Sequence, residues 1–246
     1  MQVRTKHTDK LTDFYQNSLF AGNTEIERAD YNIPFLERFI PANKAIRILD
    51  AGCGNGKYAN YLYGKGYHNL VAVDLYDSIV FDQIPYLKAR VESLPFHDNE
   101  FDVVYSNSVI YHLQQPENAI LEFKRVLKPG GILIFSGHTR YSLHTLWRKL
   151  KILLKRKSVE NLSHARFYST RRYLRFLREN GFGIVHVDGF RLGFLLYPYY
   201  RRKIKWFEIH WNIRLPLVKP RVSGIRIIGR LSAAFAYHFV IVCSKK

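Results

Sequence analysis

Cysteine is almost missing from this chain: Cys53 and Cys243 are the only two among 246 residues. Thiols that far apart build no disulfide framework, and neither they nor the histidines show metal-ligand spacing, so no metal site and no oxidising compartment are expected. Long apolar runs are missing too. Nothing approaches the roughly eighteen consecutive apolar residues of a membrane-spanning helix. Met1 to Phe20 intersperses Arg4, Lys6, Asp9, Lys10 and Asp13 where a signal peptide needs an unbroken apolar core. A cytoplasmic protein is expected, and 47% hydrophobic residues suffice for a buried core in one domain spanning 1–246. There is no internal repeat and no low-complexity tract. Acids are scarce in one half only. Between His138 and Ala236 there are 22 Lys or Arg against Glu160, Glu179, Asp188 and Glu208, so this stretch carries the whole formal net charge of +18 and the remainder is neutral. Trp147, Trp206 and Trp211 lie in the same stretch, and the chain divides into two functional halves.

The neutral half holds the most informative segment. Ile46 to Ala51 reads as a short apolar strand carrying Asp50, and it runs into Gly52-Cys53-Gly54-Asn55-Gly56. A strand feeding a glycine-rich turn and then a helix lets the backbone approach a nucleotide-type ligand closely, since glycine has no Cβ to collide with it. The spacing is G-x-G-x-G, not the G-x-G-x-x-G of dinucleotide binders, and an acid stands two residues before the first glycine, which argues against NAD. Leu70 to Leu75 is a second apolar strand ending at Asp74, and further strands are expected at Tyr86 to Val91, Phe101 to Ser106, Gly131 to Ser136, Gly183 to Val187 and His238 to Ser244. Helices are expected before Ala45, from Lys57 to Tyr63, from Glu117 to Leu127 and from Thr170 to Asn180. Such alternation predicts right-handed crossovers and a doubly wound α/β sheet.

These segments resemble the motifs of class I S-adenosylmethionine-dependent methyltransferases, in particular the small-molecule branch that includes quinone-biosynthetic enzymes. Beyond the glycine turn and Val73-Asp74-Leu75, the likeness extends to Glu92-Ser93-Leu94-Pro95-Phe96, to the post-strand segment ending in His112-Leu113, and to Lys124-Arg125-Val126-Leu127-Lys128-Pro129-Gly130-Gly131. The resemblance implies a Rossmann-like seven-stranded sheet in the order 3-2-1-4-5-7-6, with the last strand antiparallel and helices on both faces. It implies S-adenosyl-L-methionine as cofactor. Asp50 and the turn residues Gly52, Cys53, Gly54, Asn55 and Gly56 would face its methionine part, Asp74 and Leu75 its ribose, Val91 and Glu92 its adenine, and Asn107 its border. One departure stands out. The family's acidic adenine contact falls at Arg90, which cannot accept a hydrogen bond; Glu92 is the substitute, and a cofactor-binding protein without catalysis is an alternative reading.

A transferable methyl needs a positioned acceptor and, for a weakly acidic one, a base. His112 and His138 are the candidates, both beyond the carboxyl ends of central strands, where ligands bind in open α/β sheets. The acceptor side is expected from residues 1–45, a helical cap, and from 138–168 and 191–237, two basic aromatic insertions. Leu143 to Lys157 carries an apolar stripe of Leu143, Leu146, Trp147, Leu150 and Leu154 among Arg148, Lys149, Lys151, Lys155 and Arg156. A lid helix and a helix lying on an anionic membrane surface, where each basic residue contributes about 1 kcal/mol, both make this pattern. The aromatics of Phe194 to Lys203 fit an apolar acceptor pocket, a lipid interface or stacked bases. Ser106-Asn107-Ser108-Val109 is not the Asn-Pro-Pro-Tyr type that methylates base amines, and no cysteine is placed to attack a pyrimidine carbon. The expected activity is methyl transfer to a small or lipid-linked acceptor, on oxygen, with a peripheral association at the inner membrane face; RNA methylation is the alternative.

Overall fold

The computed structural model describes residues 32–77, 79–139, 168–190 and 238–246. The expectations for residues 1–31 and for nearly all of the two insertions, including the Leu143 to Lys157 helix and the Phe194 to Lys203 cluster, lie outside them.

The described residues build a seven-stranded sheet in the order β3-β2-β1-β4-β5-β7-β6. Helix α1 (Ile33–Phe39) precedes β1 (Ile48–Ala51), and α2 (Lys57–Gly64) crosses over to β2 (Leu70–Asp74). Then come β3 (Tyr86–Lys88), β4 (Phe101–Asn107), a single turn of 3-10 helix (Ile110–His112) and α3 (Pro116–Val126). β5 (Leu127–His138), α4 (Thr170–Glu179), β6 (Phe182–Phe190) and β7 (His238–Lys245) complete the series. β7 pairs antiparallel with both neighbours, whereas β1 pairs parallel with β2 and β4, and β4 with β5.

Alternation along the strands sorts the core into two layers. Leu49, Val104, Phe135 and Ile241 pack with Ile120 and Phe123 of α3 and with Tyr173 and Leu177 of α4 on one face. Ile48, Val103, Ile134 and Val242 pack with Phe35 and Leu36 of α1 and Tyr58 and Leu62 of α2 on the other. Both faces are therefore covered, which is why the central strands read as continuous apolar runs.

Several strands differ from their expected bounds: β1 starts at Ile48 and β6 runs on to Phe190, and β3 and β5 differ for visible reasons. β3 stops at Lys88, because Arg90 turns back to bridge Ser93 and takes the chain out of the ladder. β5 begins at Leu127, before Pro129-Gly130-Gly131: Leu127 pairs with Phe101, the register then shifts, and pairing resumes at Val103 with Ile132. The proline and glycines form an irregularity within the strand, with Gly130 at φ 75°.

Candidate functional site

The parallel strands bring the carboxyl ends of β1, β2, β4 and β5 to one edge, and the residues expected to bind and react gather there. Asp50 is 2% exposed and faces the layer of α2, sharing the face of Ile48. Its Oδ2 is buried without a hydrogen-bond partner. Burial, then the nearby Asp74 charge, pushes its pKa up to about 7, against the opposing pull of the Ala59 N–H in the first turn of α2. Asp74 is also raised, by burial first, although its carboxylate accepts from the N–H groups of Gly54 at 2.8 Å and Tyr76 at 3.1 Å. Two neighbouring buried carboxylates, one with an oxygen that no donor reaches, make a seat for a positively charged ligand.

All three glycines of the turn have left-handed backbone, but their surroundings differ. A Cβ at Gly52 would lie 2.2 Å from Val109 Cγ2, and one at Gly56 would lie 2.9 Å from Ile79 Cγ1. A Cβ at Gly54 would meet nothing within 4 Å. Two glycines thus admit neighbouring protein, and the middle one borders open space beside Asp74. Gly54→Ala is expected to lower folding stability by only about 1 kcal/mol, the cost of left-handed backbone. Cofactor affinity should fall by a larger factor, on the order of tenfold. Thermal unfolding with and without S-adenosylhomocysteine separates the two effects.

The turn is fixed from both sides. Gly52 and Cys53 N–H both donate to Val73 O, at 2.7 and 3.0 Å, and Val80 N–H donates to Asn55 O at 3.3 Å. Cys53 is buried, and burial followed by the charges of Asp50 and Asp74 keeps its thiol protonated. Leu75 is exposed beside Asp74. Val91 packs in the core, while Glu92 pairs with Arg90 at 3.1 Å. The Arg90 guanidinium is exposed and turns onto Glu92. Asn107 Oδ1 accepts from the hydroxyls of Ser136 and, at 3.3 Å, Ser108, which locks it into the end of the sheet.

His112 and His138 are brought together through one ring. Tyr111 contacts His112 at 4.1 Å and His138 at 4.3 Å between centroids, and His138 contacts His238 at 4.0 Å, its ladder partner on β7. His138 is buried. His112 is exposed, yet desolvation by the atoms around its ring disfavours the imidazolium and holds its pKa below the ordinary value. Solvent access to the ring works against a large shift, and the imidazole is neutral at pH 7 in either case. Tyr111 and Val109 lie within the post-strand segment, where nothing marks them as site residues, and His238 and Ile79 have no motif signal; the β5–β7 register alone pairs His238 with His138.

Nothing among the described residues forms a cluster of three or more potential metal ligands, and no described helix is long and apolar enough to cross a membrane.

Residues 49–135 match the family described as a methyltransferase domain, and the sheet order and the glycine turn are those of the class I S-adenosylmethionine-dependent methyltransferases. S-adenosylmethionine is the cofactor of that class, and the orphaned Asp50 oxygen and the open side of Gly54 fit its cationic methionine part. Among curated relatives, malonyl-[acyl-carrier protein] O-methyltransferase of Enterobacter lignolyticus is 32% identical over 120 residues, 45% of this chain and 47% of that one. A tRNA U34 carboxymethyltransferase of Methylococcus capsulatus is 31% identical over 118 residues, 44% of this chain and 36% of that one. The chain thus spans less than half the length of either. Among solved structures, a methyltransferase of Thermotoga maritima superposes with a TM-score of 0.60 at 19% identity, covering 99% of this chain and 97% of the other. The phosphoethanolamine N-methyltransferase 2 of Haemonchus contortus, holding S-adenosylhomocysteine, gives 0.62 at 20%, covering 99% and 58%.

Proposed function

We propose that the chain methylates a small or lipid-linked acceptor, on oxygen, using the edge built from β1, β2, β4 and β5. The observation that carries this reading is the neutral, solvent-open His112 joined through Tyr111 to His138 at that edge. When bound, S-adenosylmethionine supplies a methyl made electrophilic by its positive sulfur. Asp50 and Asp74 supply the negative charge that holds such a cation, the bare face of Gly54 admits it, and His112 Nδ1 or Nε2 accepts the acceptor's proton. The O-methyltransferase relatives support oxygen as the target atom. A cytoplasmic location with peripheral attachment at an anionic membrane face belongs to the same reading, supported by the excess of basic residues between His138 and Ala236.

RNA methylation is the second reading, favoured by the same basic stretch with its tryptophans and by the tRNA-modifying relative.

Calorimetry with S-adenosylmethionine and S-adenosylhomocysteine tests the common premise, and failure to bind either sinks both readings. Liposome flotation and RNA retention, each over a salt series, then separate them; RNA retention without flotation reverses the ranking. His112→Ala is expected to lower kcat about 100-fold with cofactor affinity unchanged. An unaltered kcat removes His112 as the base.

A further inference from the structure

We infer that Val109 is a positioning residue for the cofactor turn: its side chain, delivered by the left-handed backbone of Ser108, seats against Gly52 and sets where the turn stands relative to the Ile110–His112 turn. This rests on reading residues 52–56 as the cofactor turn.

The contact is unusually direct. Val109 Cγ2, Cγ1 and Cβ lie 2.2, 3.0 and 3.2 Å from the position of a Cβ on Gly52, so the valine fills the space that any other residue's side chain would need. Valine is branched at Cβ and holds a restricted χ1, which makes it a stiff spacer. β1 and β4 are paired neighbours, with Asp50 opposite Tyr105, so their carboxyl ends emerge side by side. One residue of the β4 end thereby gauges the position of the β1 end.

Ser108 adopts φ 61° to make the contact. A non-glycine residue stays in that region only where its surroundings hold it there. Here the Ser108 N–H donates to both the carbonyl and the hydroxyl of Ser136, each at 3.2 Å, and its own hydroxyl donates to Asn107 Oδ1 at 3.3 Å. Asn99 is the other non-glycine residue with positive φ among the described residues, and it precedes β4 at the opposite edge of the sheet. Directly after Val109 the chain enters the 3-10 turn, where Ile110 is fully buried and Tyr111 and His112 follow. The cofactor turn and the rings of Tyr111 and His112 are therefore tied by a rigid link one residue long.

The test is a double-mutant cycle of Gly52→Ala and Val109→Ala, with Val109→Thr as the shape-preserving control, reading S-adenosylhomocysteine affinity by calorimetry and the unfolding midpoint in parallel. Val109→Ala is expected to weaken binding about tenfold by letting the turn shift, and Val109→Thr to stay within about twofold. The double variant should lose less than the product of the single losses, because removing the valine methyls relieves the overlap at Gly52. Wild-type affinity in folded Val109→Ala, or strict multiplicativity across the cycle, overturns the assignment. If Val109→Ala does not fold, Ser108→Gly takes its place under the same thresholds, since it keeps the valine but frees the backbone that delivers it. A wild-type protein that binds no S-adenosylhomocysteine refutes the cofactor reading instead, a result distinct from any of these.

Discussion

Replacing Asp50 with asparagine weakens S-adenosylhomocysteine binding about 100-fold and stabilises the ligand-free protein above neutral pH. The first effect follows from removing the charge opposite a bound ammonium, since truncating one partner of a buried charge pair costs about 2–5 kcal/mol. The second follows from linkage. The Asp50 pKa rises from 3.8 to about 7 on folding, so between those values the folded state binds more protons than the unfolded chain. Stability therefore falls as pH rises across that window, by at most a few kcal/mol at about 1.4 kcal/mol per unit. Asparagine keeps the shape and an acceptor for the Ala59 N–H but cannot ionise. Its advantage is absent below pH 4, grows through pH 7 and levels off above. Denaturant unfolding at pH 4 and pH 8 measures this directly, and equal stabilities of the two proteins at pH 8 contradict it. The wild-type protein should also release a proton on binding near pH 6, visible by calorimetry in buffers of different ionisation enthalpy.

Arg125→Lys is expected to destabilise the fold by about 2–3 kcal/mol despite keeping the charge. The Arg125 guanidinium binds both oxygens of Glu122 at 2.9 Å, the carbonyls of Phe96 at 2.8 Å and Leu94 at 3.0 Å, and Asp98 at 2.8 Å. Glu122 in turn accepts from the Leu94 N–H at 3.0 Å, and the arginine holds its carboxyl below the usual range. One planar fork thus fastens the Leu94-to-Asp98 segment onto α3, and a single ammonium cannot span those five acceptors. Chemical denaturation checks the loss; a lysine variant within about 0.5 kcal/mol of wild type shows that charge alone suffices.

That clamp shows how far local pattern carries. Leu94-Pro95-Phe96 and Lys124-Arg125 are each legible as motifs, and each strand and helix of the described residues overlaps a segment expected from periodicity, with bounds that differ most at β3, β5 and β6. What joins the motifs is not legible, because it depends on contacts between residues distant in sequence. The contact of Val109 with Gly52 is not legible until the pairing of β1 with β4 brings the two together. His238 is an ordinary strand residue until antiparallel pairing puts it opposite His138. The ion pair of Arg90 with Glu92 is a matter of side-chain direction, which spacing does not encode. The early start of β5 escaped because Pro129-Gly130-Gly131 signals a break, while Leu127 pairs with Phe101 before it.

The position of β7 has a consequence for how the sheet is assembled. β6 touches the sheet only through β7, and β7 only fits between β5 and β6. During synthesis β3, β2, β1, β4 and β5 can pair as they emerge, and α4 can pack on Phe135 of β5, whereas β6 has no strand to join until residues 238–245 have been made. The pairing of His138 with His238 closes the long basic stretch at a single gate. The loop-closure entropy of that whole stretch is met in one late step. Refolding should accordingly show an early phase for the cofactor-side strands and a slower one for the remainder. The edge built from β1, β2, β4 and β5 would then exist before β7 and β6 are added to the sheet.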